Sequence, residues 1–321
     1  MSDAALSPQR IALDAQPPGL AARRFWDSTF IVWGLGATLV GVAVLIALIA
    51  GLWIDGGDKL SWRFLFSFPS ASPERAGIYS AWVGSLFVIL TTAAIAIPLG
   101  VMSGLYLEEY APKNGVTAVI EIAVNNLAGV PSIIFGLLAL GLFVQRLDLG
   151  QTILTAGLTL ALLILPIVIV ATREAVRGVP QDIRNAALAL GATKWRTTQD
   201  HVLPYAMPGV VTGVIIGLSR AIGETAPIIV IGGLSFVPFL PVLLPSDVIP
   251  LNEAAQSWLP WNWLEKGFTV LPIQMFNWTS RPQQEFIDLA ATAGLVLLAI
   301  TLLMNGGAIW LRYRLRRNIR W

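Results

Sequence analysis

The sequence has no cysteine and a single histidine, His201. Without thiols there is no disulfide, no thiolate metal site and no cysteine nucleophile, and one imidazole cannot assemble a histidine-built metal centre. Lysine is nearly as scarce. Lys59, Lys113, Lys194 and Lys266 are the full set, and none follows a glycine. A phosphate-cradling GxxxxGK[ST] loop is therefore absent, so this chain binds no cofactor of its own and any ATP and Mg chemistry must come from another polypeptide. Charge as a whole is thin, at 12% of 321 residues, against about 25% in a soluble domain. The net charge of +2 gives no reason to expect a nucleic-acid partner. The N-terminus lacks a basic start followed by an early apolar core, so it does not read as a signal peptide; residues 1–28, with Pro17-Pro18, are expected to form a cytoplasmic tail.

What is abundant is apolar surface. The chain is 55% hydrophobic, with a mean hydropathy of +0.71. A helix needs about 20 apolar residues to cross a bilayer. Six segments qualify: Phe30–Trp53, Trp82–Tyr106, Gly129–Val144, Ile153–Ala171, Pro208–Leu234 and Phe286–Leu311. The expected fold class is thus an all-α integral membrane protein of six transmembrane helices. Residues 29–53 form the first helix, 54–81 a loop, 82–311 a core of five helices, and 312–321 a basic tail. The third span is interrupted by Asn125-Asn126, Gly129 and Pro131. It is either a short interfacial helix over 116–126 followed by a span, or one long helix kinked at Pro131.

Lys and Arg set the orientation. The N-terminal tail, the loop after span two, the loop between spans four and five and the C-terminal tail carry fourteen of them on one side; the other side carries six over longer loops. Both termini are therefore expected in the cytoplasm. On the opposite side, residues 235–285 are rich in Pro and Trp. They either lie on the outer surface, where Trp favours the interface, or dock an external partner.

The cytoplasmic loop 172–207 carries the clearest local pattern. Pro180 suits a helix start. Ile183, Ala186, Ala187 and Leu190 recur at helical spacing, and Gly191 follows as at a helix end. Thr193 can cap a second short helix, expected to end at Leu203-Pro204. An amphipathic helix this short is marginal alone and needs something to bury its face against; a partner protein is the evident candidate.

Span five holds two charges, Arg220 and Glu224. Each costs on the order of 2.5–3.5 kcal/mol near the bilayer centre. Their i,i+4 spacing lets them pair on one face, either as a structural ion pair or as part of a translocation path. Ser219 and Thr225 add hydroxyls beside them, and the planar fork of Arg220 suits an oxyanion. Asn125 and Asn126 either line the same path or satisfy backbone at the interface. Glu108 and Glu109 are adjacent, point about 100° apart on a helix, and read as a solvated pair. His201 reads as a loop residue, and Arg312 to Arg320 as a topology anchor on anionic lipid.

Two resemblances follow. The loop is similar to the coupling loop of bacterial ABC importer permeases: Asn185-Ala186-Ala187, three residues, Gly191, nine residues, then His201-Val202-Leu203-Pro204. It departs at Asn185, where the pattern has Glu, and at His201, where it has Ile. The resemblance implies that Asp182 to Thr197 enter a groove on an ATPase, with Asp182, Ile183, Asn185, Ala186, Ala187, Leu190, Gly191 and Lys194 at the contact. The run LSRAIGETAPIIVIGG, with IPLGVMSGLYLEEYAP at 97–112 and LAGVPSIIFGL at 127–137, resembles phosphate importer permeases of the MetI-like fold. The segment LPIQMFNWTSRPQQEF and the Arg-rich tail favour the A-type over the C-type subunit. That family implies a substrate path through Arg220 and Arg173, although Arg173 could equally be a positive-inside anchor. It also implies a homologous C-type permease (PstC), two ATPase subunits (PstB), an external phosphate-binding protein (PstS), the phosphate ion and the lipid bilayer as partners. An importer for another oxyanion, such as sulfate or molybdate, is the alternative. A membrane enzyme or stand-alone carrier is disfavoured by the single His, the lack of a convergent carboxylate set and the docking loop.

Overall fold

The computed structural model describes residues 20–233 and 262–317, whose regular secondary structure is helical apart from one isolated bridge between Thr152 and Gly267. The chain divides after Gly51 into two compact units. The first contains most of α1 (Leu20–Gly56), an unbroken helix with exposed Phe30, Trp33, Leu39, Leu45 and Leu48. A helix that is apolar all round belongs in a membrane.

The second unit is built on α3 (Tyr79–Leu105), α6 (Ile153–Arg177) and α9 (Leu203–Ile222). Glycines set their spacing. A Cβ on Gly157 would lie 2.4 Å from Thr91 Cγ2, one on Gly104 2.7 Å from Thr172 Cβ, and one on Gly213 2.1 Å from Ala171 Cβ. Small residues let backbones approach this closely, which is how helices gain contact where lipid offers no hydrophobic drive. Thr92 and Thr159 are fully buried and donate to carbonyls one turn back, Val88 at 2.8 Å and Thr155 at 2.6 Å, so their hydroxyls are satisfied without water.

Two elements break. Between α4 (Gly115–Leu127) and α5 (Ser132–Ala139, continued by a π-type turn to Arg146) the chain bends by 106°. Pro131 is the N-cap of α5, not a kink inside one helix, so α4 and α5 are separate helices and the single-helix alternative for span three does not hold. The second break lies at Gly223–Thr225, between α9 and the short α10 (Ala226–Val230). There Gly136 of α5 admits the backbone of Pro227: a Cβ on it would meet Pro227 Cα at 2.7 Å. Among the described residues, five helices are long and apolar enough to cross a membrane, or six if the bent pair counts as one span.

Two expectations change. The second loop helix does not stop at Leu203-Pro204. The short α8 (Lys194–Arg196) runs through a π-type turn, Thr197–Val202, directly into α9. The turn shifts hydrogen bonding to i→i+5, the N–H of Leu203 bonding to Thr198 O, and Pro204 follows it at the start of α9. Nor does 262–285 simply lie on a surface. The helix α11 (Leu271–Thr279) buries Leu271, Ile273, Gln274 and Trp278, the last packing between Phe64, from α2 (Trp62–Phe66), and Phe286 of α12 (Gln284–Arg317). Residues 235–261, with Trp258 and Trp261, are outside the described residues.

Candidate functional site

The end of the bundle formed by the C-termini of α3 and α6 carries α7 (Gln181–Ala189). Pro180 caps its start and Asp182 places a carboxylate in its first turn, where the helix dipole favours one. Its C-terminus closes as a Schellman motif: Gly191 has φ +83°, its N–H bonds to Leu188 O at 3.0 Å, and the Ala192 N–H bonds to Ala187 O at 3.1 Å. Thr193 Oγ1 then accepts from Arg196 N at 3.3 Å.

The apolar stripe expected on α7 is split. Ala187 is buried, and Ile183 packs on a small cluster of Val176, Val179, Val202, Ala206 and Val210. Asn185, Ala186, Leu188 and Leu190 face outward, Leu190 at 90% exposure, with Trp195 exposed beside them. Lys194 turns back, its Nζ 5.1 Å from the centroid of the Tyr110 ring. The surface open to a partner is therefore Asp182, Asn185, Ala186, Leu188, Leu190, Gly191 and Trp195; Ile183, Ala187 and Lys194 hold the element to its own chain.

Glu108 and Glu109 are not a solvated pair. They sit on the π-type turn Tyr106–Tyr110 that ends α3, and their divergence by a helical step sends each to a different cation. Glu108 takes a two-pronged bond from Arg177, Nε and Nη2 each at 3.1 Å, and lies 3.6 Å from Arg173 Nε. Glu109 Oε1 accepts from Arg184 Nε at 2.9 Å and Nη2 at 2.6 Å. Glu121 of α4 reaches Arg173 Nη2 at 2.8 Å. Sequence reasoning missed this lattice. Its trace was the coincidence of two carboxylates ending one span with Arg173 and Arg177 one turn apart at the end of another.

Arg173 is 6% exposed and borders a recess of about 460 Å³ with Lys113, Asn114, Glu121 and Arg177. Its Nε lacks a hydrogen bond. Arg220 lies elsewhere. Arg173 stands on α6 between Ala171 and Ala175, which meet Gly213 and Gly209 of α9; Arg220 is about 14 Å farther along α9 at 1.5 Å per residue. The structure does not bring the two together.

Arg220 is exposed in the last turn of α9, where the helix dipole favours a cation. The expected pairing with Glu224 does not form. The helix ends at Ile222, so the i,i+4 register is lost at Gly223, and Glu224 instead borders a small gap with Ser85, Leu160 and Ile228. Among the described residues neither Arg220 nor Glu224 makes an ion pair. Ser219 is held between the Ile215 carbonyl, at 2.6 Å, and the side chain of Asn305 on α12, an intramembrane amide that sequence reasoning passed over. Thr225 makes only a long contact to Gly223 O at 3.4 Å. Asn125 and Asn126 are exposed in the last turn of α4, before the elbow.

A family of binding-protein-dependent transport system inner membrane components matches residues 96–320. A probable ABC transporter permease protein of Bacillus subtilis, YqgI, is 32% identical over 281 residues, 87% of this chain and 92% of its own length. The phosphate transport system permease protein PstA 1 of Mycobacterium tuberculosis is 32% identical over 301 residues, 93% of this chain and 89% of its own. Two solved structures share the fold at low identity. A chain of a bacterial alginate ABC transporter, in complex with an alginate pentasaccharide-bound periplasmic protein, has a TM-score of 0.57 at 14% identity, covering 89% of this chain and 96% of its own. A chain of the inward-facing MetNI methionine ABC transporter has a TM-score of 0.55 at 16% identity, covering 74% and 95%.

Proposed function

The chain belongs to the binding-protein-dependent transport system permeases of the inner membrane, and from that premise we propose that it is the A-type permease subunit of an ATP-driven phosphate importer. It is a multi-pass inner-membrane protein and an ABC-importer permease subunit. The finer reading concerns cargo and partners. The observation that carries it is Arg220: a guanidinium exposed in an apolar span, without an ion-pair partner among the described residues, at a helix break inside the run Arg220-Ala221-Ile222-Gly223-Glu224-Thr225-Ala226-Pro227. A planar fork with open donors suits a tetrahedral oxyanion. The relatives named as phosphate permeases support phosphate as that anion.

In this reading the bent pair α4–α5 is the sixth span, and both termini and α7 face the cytoplasm, where most of the Lys and Arg lie. A homologous C-type permease completes the path across from Arg220. Of two ATPase subunits, one takes the outward face of α7, with Leu190 and Leu188 as apolar contacts. A phosphate-binding protein delivers cargo on the far side. ATP binding draws the ATPases together and displaces α7. The helical run from Lys194 to Ile222 then carries that displacement toward Arg220, which sits near its far end. Arg173, locked by Glu121 and Glu108, serves as an anchor of the inner end; a direct contact with departing phosphate would require those pairs to open.

Replacing Arg220 with Gln tests the reading. The substitution keeps length and polarity and removes charge, so the complex should assemble and lose phosphate uptake. Undiminished uptake by an assembled Arg220→Gln complex would refute the role assigned to this residue.

A further inference from the structure

The docking helix α7 has little to hold it. It is nine residues long, too short to be stable alone, and only Ile183 and Ala187 turn apolar atoms inward. What fixes its direction is Arg184. Nε and Nη2 of this side chain bond to Glu109 at the end of α3, Nη1 bonds to Val179 O at 2.6 Å, and Nη2 also bonds to Val176 O at 2.9 Å in the last turn of α6. One planar group thus joins three elements with directional bonds. The Glu109 and Arg184 side chains are 10% and 12% exposed, so water screens the pair little. Its neighbour differs: Arg177 is 53% exposed at the Glu108 pair, where solvent weakens the bond. Arg184 and Asn185 are successive on α7, so the clamp points inward while Asn185 points out toward a partner.

We infer that Glu109 is a positioning residue: paired with Arg184, it clamps α7 onto the ends of α3 and α6, so that a displacement imposed on α7 moves those membrane helices with it. The inference rests on the reading of α7 as the ATPase contact. Without the carboxylate, Arg184 keeps its carbonyl bonds to Val176 of α6 and to Val179 in the linker that follows but loses α3. The docking helix can then swing against α3, and less of its displacement reaches the bundle for each ATP hydrolysed.

The native chain has no cysteine, so Tyr106→Cys in the π-type turn that ends α3 and Gln181→Cys on α7, both exposed, give a unique spin-label pair in the full chain. In nanodiscs the distance distribution between them should be narrow. Glu109→Gln should broaden it, and Glu109→Asp, which keeps the charge, should keep it narrow. Equal widths for wild type and Glu109→Gln overturn the clamp. In the complex reconstituted with its ATPases, Glu109→Gln should lower uptake per ATP hydrolysed about tenfold, the equivalent of one charge-assisted hydrogen bond, and Glu109→Asp should recover most of it. Unchanged uptake per ATP, or failure of both variants to assemble, overturns the positioning role. Failure of the docking reading itself would look different: the spin-label widths would change as expected while ATPase binding proved indifferent to the outward face of α7.

Discussion

The α6–α9 seam makes a quantitative prediction. A methyl placed on Gly213 would sit 2.1 Å from Ala171 Cβ and 3.5 Å from Ala171 Cα. Carbon atoms pack best at about 3.5–4.0 Å, so Gly213→Ala forces the helices apart by roughly 1.5 Å at their closest point or strains both backbones. Overpacking of this kind costs about 1–3 kcal/mol. Two turns in opposite directions give internal controls. At Gly209 the same methyl would meet Ala175 Cβ at 2.6 Å, a lesser clash; at Gly217 it would meet Ile164 Cβ and Val168 Cγ2 at 3.5 Å, ordinary contact. The expected order of stability is therefore Gly217→Ala above Gly209→Ala above Gly213→Ala. Moving the methyl from one helix to the other, as Ala171→Gly with Gly213→Ala, should restore most of the loss. The assay is thermal unfolding of the purified chain in detergent, followed by size exclusion, with the double mutant as the fourth corner of a cycle. Gly213→Ala as stable as Gly217→Ala, or no relief from Ala171→Gly, would refute the close approach.

Three further outcomes follow from the loop. Leu190→Glu places a charge at the most exposed apolar residue of the docking face; it should sharply reduce co-purification of ATPase subunits while leaving the melting of the chain unchanged. Ala187→Glu should act on the chain itself, since Ala187 is buried: an unpaired carboxylate there should cost several kcal/mol and expose 180–200 to proteolysis even without a partner. Gly191→Ala, at φ +83°, should cost about 1–2 kcal/mol by straining the Schellman turn, read as faster amide exchange over α7.

Five spans were legible as long apolar helices because bilayer thickness imposes length and hydropathy, and both are written in the composition of each segment. The helix breaks were less so. The i,i+4 rule that paired Arg220 with Glu224 presumes an unbroken helix, and the helix ends at Ile222. Leu203-Pro204 misled for the opposite reason. Proline disfavours a helix interior, but the π-type turn before Pro204 lets the helical run continue through it. The Schellman end of α7 was readable because Gly191 supplies the one backbone conformation it needs. Which side of α7 faces out was not readable, since Ala186 and Ala187 are chemically alike and only the position of the Val176–Val210 cluster separates them. The carboxylates at 108 and 109 were misread because their partners lie 69 and 75 residues away, beyond any local pattern.

The most direct measurement is ATP-dependent uptake by this chain co-reconstituted in proteoliposomes with its companion permease, ATPases and binding protein, offered phosphate, sulfate and molybdate in parallel. The account predicts ATP-driven accumulation of phosphate alone, lost in Arg220→Gln. Accumulation of sulfate or molybdate in place of phosphate, or uptake independent of ATP, would contradict it.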